Sequence, residues 1–149
     1  MSIRVLGTLV VVLLLAADDK DQGDAAKKDL KALEGTWKAL KGEENGAAVK
    51  EGDIKKYELT IKGDKYTLRV NGEETEQGTL KLDPTKKPKA IDIKITKGDD
   101  EGKDQYGLYQ VEGDRFTLCF APAGKDRPKQ LKTEAGSDQS LIVFERLKS

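Results

Sequence analysis

The stretch Ile61-Lys62-Gly63-Asp64-Lys65-Tyr66-Thr67-Leu68 returns later in the chain as Val111-Glu112-Gly113-Asp114-Arg115-Phe116-Thr117-Leu118. Each copy sets a Gly-Asp pair between two runs that alternate apolar and polar residues. An aromatic-Thr-Leu run follows each loop. Glycine at the first central position of a two-residue loop supplies the positive φ that a type II′ hairpin demands. The repeat predicts antiparallel hairpins and a sheet assembled from them in sequence order. It carries no chemistry of its own.

The same alternation extends outward from both copies. Tyr57, Leu59 and Ile61 alternate with Glu58, Thr60 and Lys62, and Tyr66, Leu68 and Val70 follow the first loop. Asn71-Gly72 is the strongest two-residue turn signal in the chain and leads into a strand over 74–82, polar at its start. Asp83-Pro84 and Pro88 interrupt the pairing, because proline cannot donate to a ladder. Ile91, Ile93 and Ile95 then alternate with Asp92, Lys94 and Thr96, which places the isoleucines on one buried face. Tyr106, Leu108 and Val111 approach the second Gly-Asp loop, and Phe116, Leu118 and Phe120 leave it. A short strand is expected at 129–133 after a Pro/Gly loop, and a closing strand at 141–147. At the other end, Asp24 is expected to cap a helix over 25–34 with Leu30 and Leu33 on one face, stopped by Gly35. Trp37, Ala39 and Leu40 open the first strand, which ends before the turn-rich residues 42–46.

This pattern predicts an all-β fold: an eight-stranded antiparallel up-and-down barrel with one short N-terminal helix. Closure suits consecutive hairpins better than a sandwich, whose crossovers need longer connections. The candidate interior lining is Tyr57, Leu59, Tyr66, Leu68, Ile91, Ile93, Tyr106, Leu108, Phe116, Leu118 and Phe120. A barrel of this size either holds one small ligand or is filled by its own side chains.

The composition narrows the chemistry. Basic and acidic residues balance at 27 each in 149 residues, and no histidine occurs. A balanced chain lacks the basic stripe that nucleic acid requires. Without histidine there is no Ser-His or Cys-His nucleophile pair. The single cysteine, Cys119, sits in a strand pattern and reads as a small core hydrophobe. Four carboxylates in the loop 98–104 (Asp99, Asp100, Glu101 and Asp104) lack EF-hand spacing and read as a solvated hairpin tip. Nothing fixes a catalytic separation between Asp92, Glu58 and Glu74. No catalytic residue, metal ligand or cofactor site is therefore assigned. Arg127, in the Pro/Gly loop, reads as part of a rim connection.

Arg4, an apolar run over 5–15 and Ala16-Ala17 before an acidic stretch have the layout of a secretory signal peptide. The division expected is a signal peptide at 1–17, a linker at 18–23 and a barrel domain at 24–149. Any membrane contact is then made through the export segment alone, and the expected location is periplasmic, cell-surface or secreted.

Gly35-Thr36-Trp37, after a short helix and at the start of strand one, resembles the lipocalin Gly-x-Trp signature. In that family the tryptophan plugs the closed barrel end beneath an arginine from the C-terminal strand, which points here to Trp37 and Arg146. A resemblance of wider extent covers 29–38, 82–92 and 118–128. These segments contain Gly35-Thr36-Trp37-Lys38, Leu82-Asp83-Pro84-Thr85-Lys86-Lys87-Pro88-Lys89 and Cys119-Phe120-Ala121-Pro122, with Arg127-Pro128 closing the last. They are similar to an uncharacterised lipocalin-like domain family expanded in planctomycete bacteria. The chain has Leu131 where that family has a phenylalanine. The resemblance implies an exported small barrel and no established activity. The sequence thus leads to an exported non-enzymatic barrel that binds a small apolar ligand or a macromolecular partner such as an envelope protein. The alternatives are a side-chain-filled structural module and, more distantly, a carboxylate-based hydrolase.

Overall fold

The computed structural model describes residues 23–148. The signal-peptide reading of 1–17 and nearly all of the 18–23 linker lie outside the described residues. A helix, α1, covers 23–33, so Asp24 lies within it rather than capping it. Strands follow as β1 (Gly35–Glu44), β2 (Ala47–Ala48), β3 (Tyr57–Lys62), β4 (Lys65–Val70) and β5 (Glu73–Asp83). The rest are β6 (Lys89–Lys97), β7 (Asp104–Glu112), β8 (Arg115–Phe120) and β9 (Ser140–Arg146). One helical turn that the sequence reading did not foresee, α2 (Glu51–Ile54), precedes β3.

Every neighbouring pair from β3 to β9 is antiparallel in chain order, β1 pairs with β3, and β1 also pairs with β9. These eight strands close into an up-and-down barrel, and β2 adds a short ninth strand against the far end of β1. Both Gly-Asp loops are two-residue connections: Lys62 pairs with Lys65 and Glu112 with Arg115. Gly63 has φ +62° and Gly113 φ +57°, the sign that the II′ reading needs.

Alternation sets the facing of most strands. Ile91, Ile93 and Ile95 are buried, while Lys94 is exposed. Two features displace the simple pattern, one a bulge and one a difference of facing. In β1 the register steps between Ala39 and Lys41, leaving Leu40 as the extra residue. Trp37 and Ala39 therefore face inward, and beyond the bulge Gly42 takes the inward position, opposite Ile142. In β7 the inward set is shifted by one residue from the sequence reading. Gly107 pairs with the inward Ile91, so Tyr106 (opposite Asp92) and Leu108 (opposite Ala90) face outward.

The outer side is partly covered by the connection 121–139. Leu108, Cys119 and Leu141 form a small cluster there, with Leu131 and Val143 packed against it. The short strand expected at 129–133 is absent: those residues bend across the barrel wall instead. β8 pairs directly with β9, which leaves the segment no ladder to join. Arg127 pins the connection in place. Its Nη1 donates to the carbonyls of Ile91 (2.9 Å) and Gly107 (2.8 Å), its Nη2 bonds Asp92, and its guanidinium lies 5.3 Å from the centre of the Tyr106 ring.

Candidate functional site

The two ends of the barrel are built differently, and the difference creates the site. One end is stopped by α1 and the fully buried Trp37. The last turn of a helix leaves carbonyl groups without intrahelical donors. Here side chains from the barrel supply those donors. Trp37 Nε1 donates to the carbonyl of Leu33 (2.8 Å), while Arg146 donates through Nη1 to Glu34 (2.7 Å) and through Nη2 to Ala32. The Arg146 guanidinium also lies 4.3 Å from the centre of the Trp37 ring, and its Nε faces Asp114 at 3.3 Å. Direct pairing of Trp37 with Arg146 across β1 and β9 makes this geometry possible, because paired residues share a face.

A second clamp holds the other side of α1. Asp29 accepts from Lys89 Nζ (2.9 Å) and from the Tyr109 hydroxyl (2.7 Å). Burial, reinforced by that carboxylate, drives the Tyr109 phenol well above its ordinary value, so it remains a donor. Above the Trp37 ring lie Phe116, 5.5 Å away between centres, and Phe144 beyond it. These aromatic rings form the floor of the interior.

Above that floor the described residues leave the barrel unfilled. A cavity of about 440 Å³ extends from Phe116, Phe144 and Leu80 to the exposed Glu44 and Asp53 at the far rim. Small-molecule sites span roughly 300–1,000 Å³. Of the interior residues expected from sequence, Tyr57, Leu59, Tyr66, Leu68, Ile91, Ile93, Phe116, Leu118 and Phe120 all line it. Tyr106 and Leu108 do not, for the register reason given above. Ile54 of α2 closes part of the mouth from above Gly42, where a Cβ would lie only 2.7 Å from the isoleucine Cδ1. Glycine is what lets the helical turn sit so close.

The polar side chains of the cavity are the carboxylates of Glu43, Glu44, Asp53 and Glu76 together with Tyr57, Tyr66, Gln105 and Ser140. Glu76 lies on β5 in phase with Gly78, Leu80 and Leu82 and points inward, where it accepts a 2.6 Å hydrogen bond from the Tyr66 hydroxyl. Burial first, and then this bond, raise the Tyr66 phenol far above its usual value near 10. The Tyr66 ring lies against Gly78, whose missing side chain leaves the space: a Cβ there would fall 2.7 Å from the ring. Gln105 turns its amide N–H toward the Ala121 carbonyl (3.0 Å). Sequence reading missed Glu76 as a lining residue because the start of this strand looks uniformly polar. Counting back in twos from Leu82 and Leu80 would have found it.

The other carboxylates singled out in the sequence stay outside the barrel. Asp92 is held by Arg127, Glu74 faces Arg69 at 3.3 Å, and Glu58 pairs across the sheet with Arg69. In the loop 98–104, Asp100 pairs with Lys103 and Asp104 with Lys94. Cys119 lies under the outer connection, and burial pushes its thiol up to about 11. Comparison with protein-family models, curated proteins and solved structures found no match to this chain.

Proposed function

We propose that this small barrel is an exported, non-enzymatic binding module that carries one small apolar molecule in its interior. The observation that supports the reading is the cavity of about 440 Å³ standing over a floor of Trp37, Phe116 and Phe144. A barrel whose role is purely structural gains stability by filling its interior, since unfilled volume forfeits packing contacts. This one keeps space walled by Leu59, Leu68, Ile93 and Leu118 while its floor is tightly built. The same space counts against the side-chain-filled envelope module. The Arg-apolar-Ala order at the N-terminus supports export, and the three motif segments support a place among the lipocalin-like domains of planctomycete bacteria.

Native mass spectrometry of the protein purified from its own producing cells is the direct test. A single added small mass, lost on unfolding, is expected. A protein that is bare when purified and takes up no apolar probe afterwards would show the interior to be mere packing imperfection.

A further inference from the structure

The charge inside the cavity selects among apolar molecules, and on this basis we infer that the ligand is a cationic amphiphile, an alkyl chain or ring system bearing an ammonium group. The inference rests on the ligand reading above and adds the head-group chemistry to it. Among the described residues, the lining holds Glu43, Glu44, Asp53 and Glu76, and no lysine or arginine. This bias stands out in a chain whose charges balance overall.

The carboxylates are not equivalent. Asp53 already has Lys56 at 3.5 Å, and Glu43 pairs with the outward Leu141. Glu76 points into the barrel, and among the described residues neither it nor Glu44 is in an ion pair. An ionised carboxylate offers about four acceptor positions, and the Tyr66 hydroxyl fills one of those on Glu76.

The donor side of the wall points the same way. The Tyr66 hydroxyl is committed to Glu76 and the Gln105 amide to the Ala121 carbonyl. A ligand entering tail first, toward Phe116 and Phe144, leaves its polar end among acceptors that still have lone pairs. An anionic head group would meet repulsion from the Glu76 and Glu44 carboxylates there, with the Tyr57 and Ser140 hydroxyls as the donors left to it. A hydroxyl head group can donate one bond but leaves the charge unanswered. An ammonium group answers both.

Three probes of matched chain length separate the possibilities at sub-micellar concentration and neutral pH: decylammonium, 1-decanol and decanoate, each titrated by calorimetry. The ammonium probe is expected to bind about tenfold or more tightly than decanoate, with decanol between them. The Glu76→Gln variant, which keeps an acceptor for Tyr66, should narrow that ratio. Added salt should narrow it in the wild-type protein as well, which gives a second measurement independent of any variant. Equal binding of all three, or tighter binding of decanoate, would overturn the cationic preference and leave the ligand reading standing. Binding of none would remove the ligand reading, and this inference with it.

Discussion

Replacing Arg146 by methionine keeps an apolar stem against the barrel and removes the guanidinium. That group donates to the carbonyls of Ala32 and Glu34, lies 4.3 Å from the Trp37 ring centre and faces Asp114. A hydrogen bond from a charged donor contributes about 1.5–3 kcal/mol, and a cation–π contact about 0.5–2 kcal/mol. The full sum overstates the loss, because the Arg146 side chain is 27% exposed and water can reach the freed carbonyls. The expected destabilisation is about 2–4 kcal/mol. Lysine at the same position keeps the charge but not the two-pronged geometry, and about half the loss is expected. The chain has one tryptophan, so its fluorescence reports this end of the barrel alone. Guanidinium unfolding followed at Trp37 gives the stability, and iodide quenching of the native protein gives the exposure of the ring. Quenching should rise in Arg146→Met. A stability change under about 0.5 kcal/mol, within the range of ordinary surface substitutions, together with unchanged quenching, would refute the view that Arg146 joins helix, ring and hairpin.

The inward glycine on β5 is expected to tolerate no side chain, since a Cβ at Gly78 would lie 2.3 Å from the Lys94 carbonyl oxygen. Gly78→Ala should cost about 1–3 kcal/mol in the denaturant midpoint, and a neutral result would mean that the β5–β6 contact is looser than described. Cys119, buried with its thiol pushed up to about 11, should react with aromatic disulfide reagents at pH 8 only after unfolding. Rapid labelling of the folded protein would place the thiol elsewhere. The phenols of Tyr66 and Tyr109 are both raised in the folded state above their ordinary value near 10. A raised folded value means that their contribution is complete below pH 10 and is lost as the pH climbs beyond it. Urea midpoints should therefore fall on the alkaline side, and fall less in a Tyr66→Phe, Tyr109→Phe double variant; identical alkaline limbs would contradict the assignment.

The hairpin order was legible because short-range signals define it. Gly63-Asp64, Asn71-Gly72 and Gly113-Asp114 each fix a turn, and period-two alternation fixes the face between turns. Where the reading failed, a nonlocal feature intervened. Tyr106 and Leu108 are apolar yet face outward, because the connection 121–139 covers that side and makes an outer apolar position favourable. The expected strand at 129–133 had β propensity but no free partner once β8 and β9 paired. α2 has too few residues to show helical periodicity, and it forms where Ile54 can bury itself over Gly42. For the site, the apolar wall was readable from alternation, whereas the unfilled volume was not. Whether facing side chains meet or leave space depends on barrel curvature and on where the bulge at Leu40 sits, and neither is encoded in any one strand.

The central claim is that the interior volume is a binding site, and a neutral fluorescent apolar probe tests it most directly. N-phenyl-1-naphthylamine is titrated into the wild-type protein and into Leu68→Trp and Ile142→Trp, two variants that place an indole in the cavity from half-buried positions on β4 and β9. Thermal unfolding establishes that each variant folds. The account predicts saturable binding of one probe per wild-type chain and affinity weakened about tenfold or more when the cavity is filled. Wild-type protein that fails to bind the probe, or folded variants that bind it as tightly as the wild type, would contradict it.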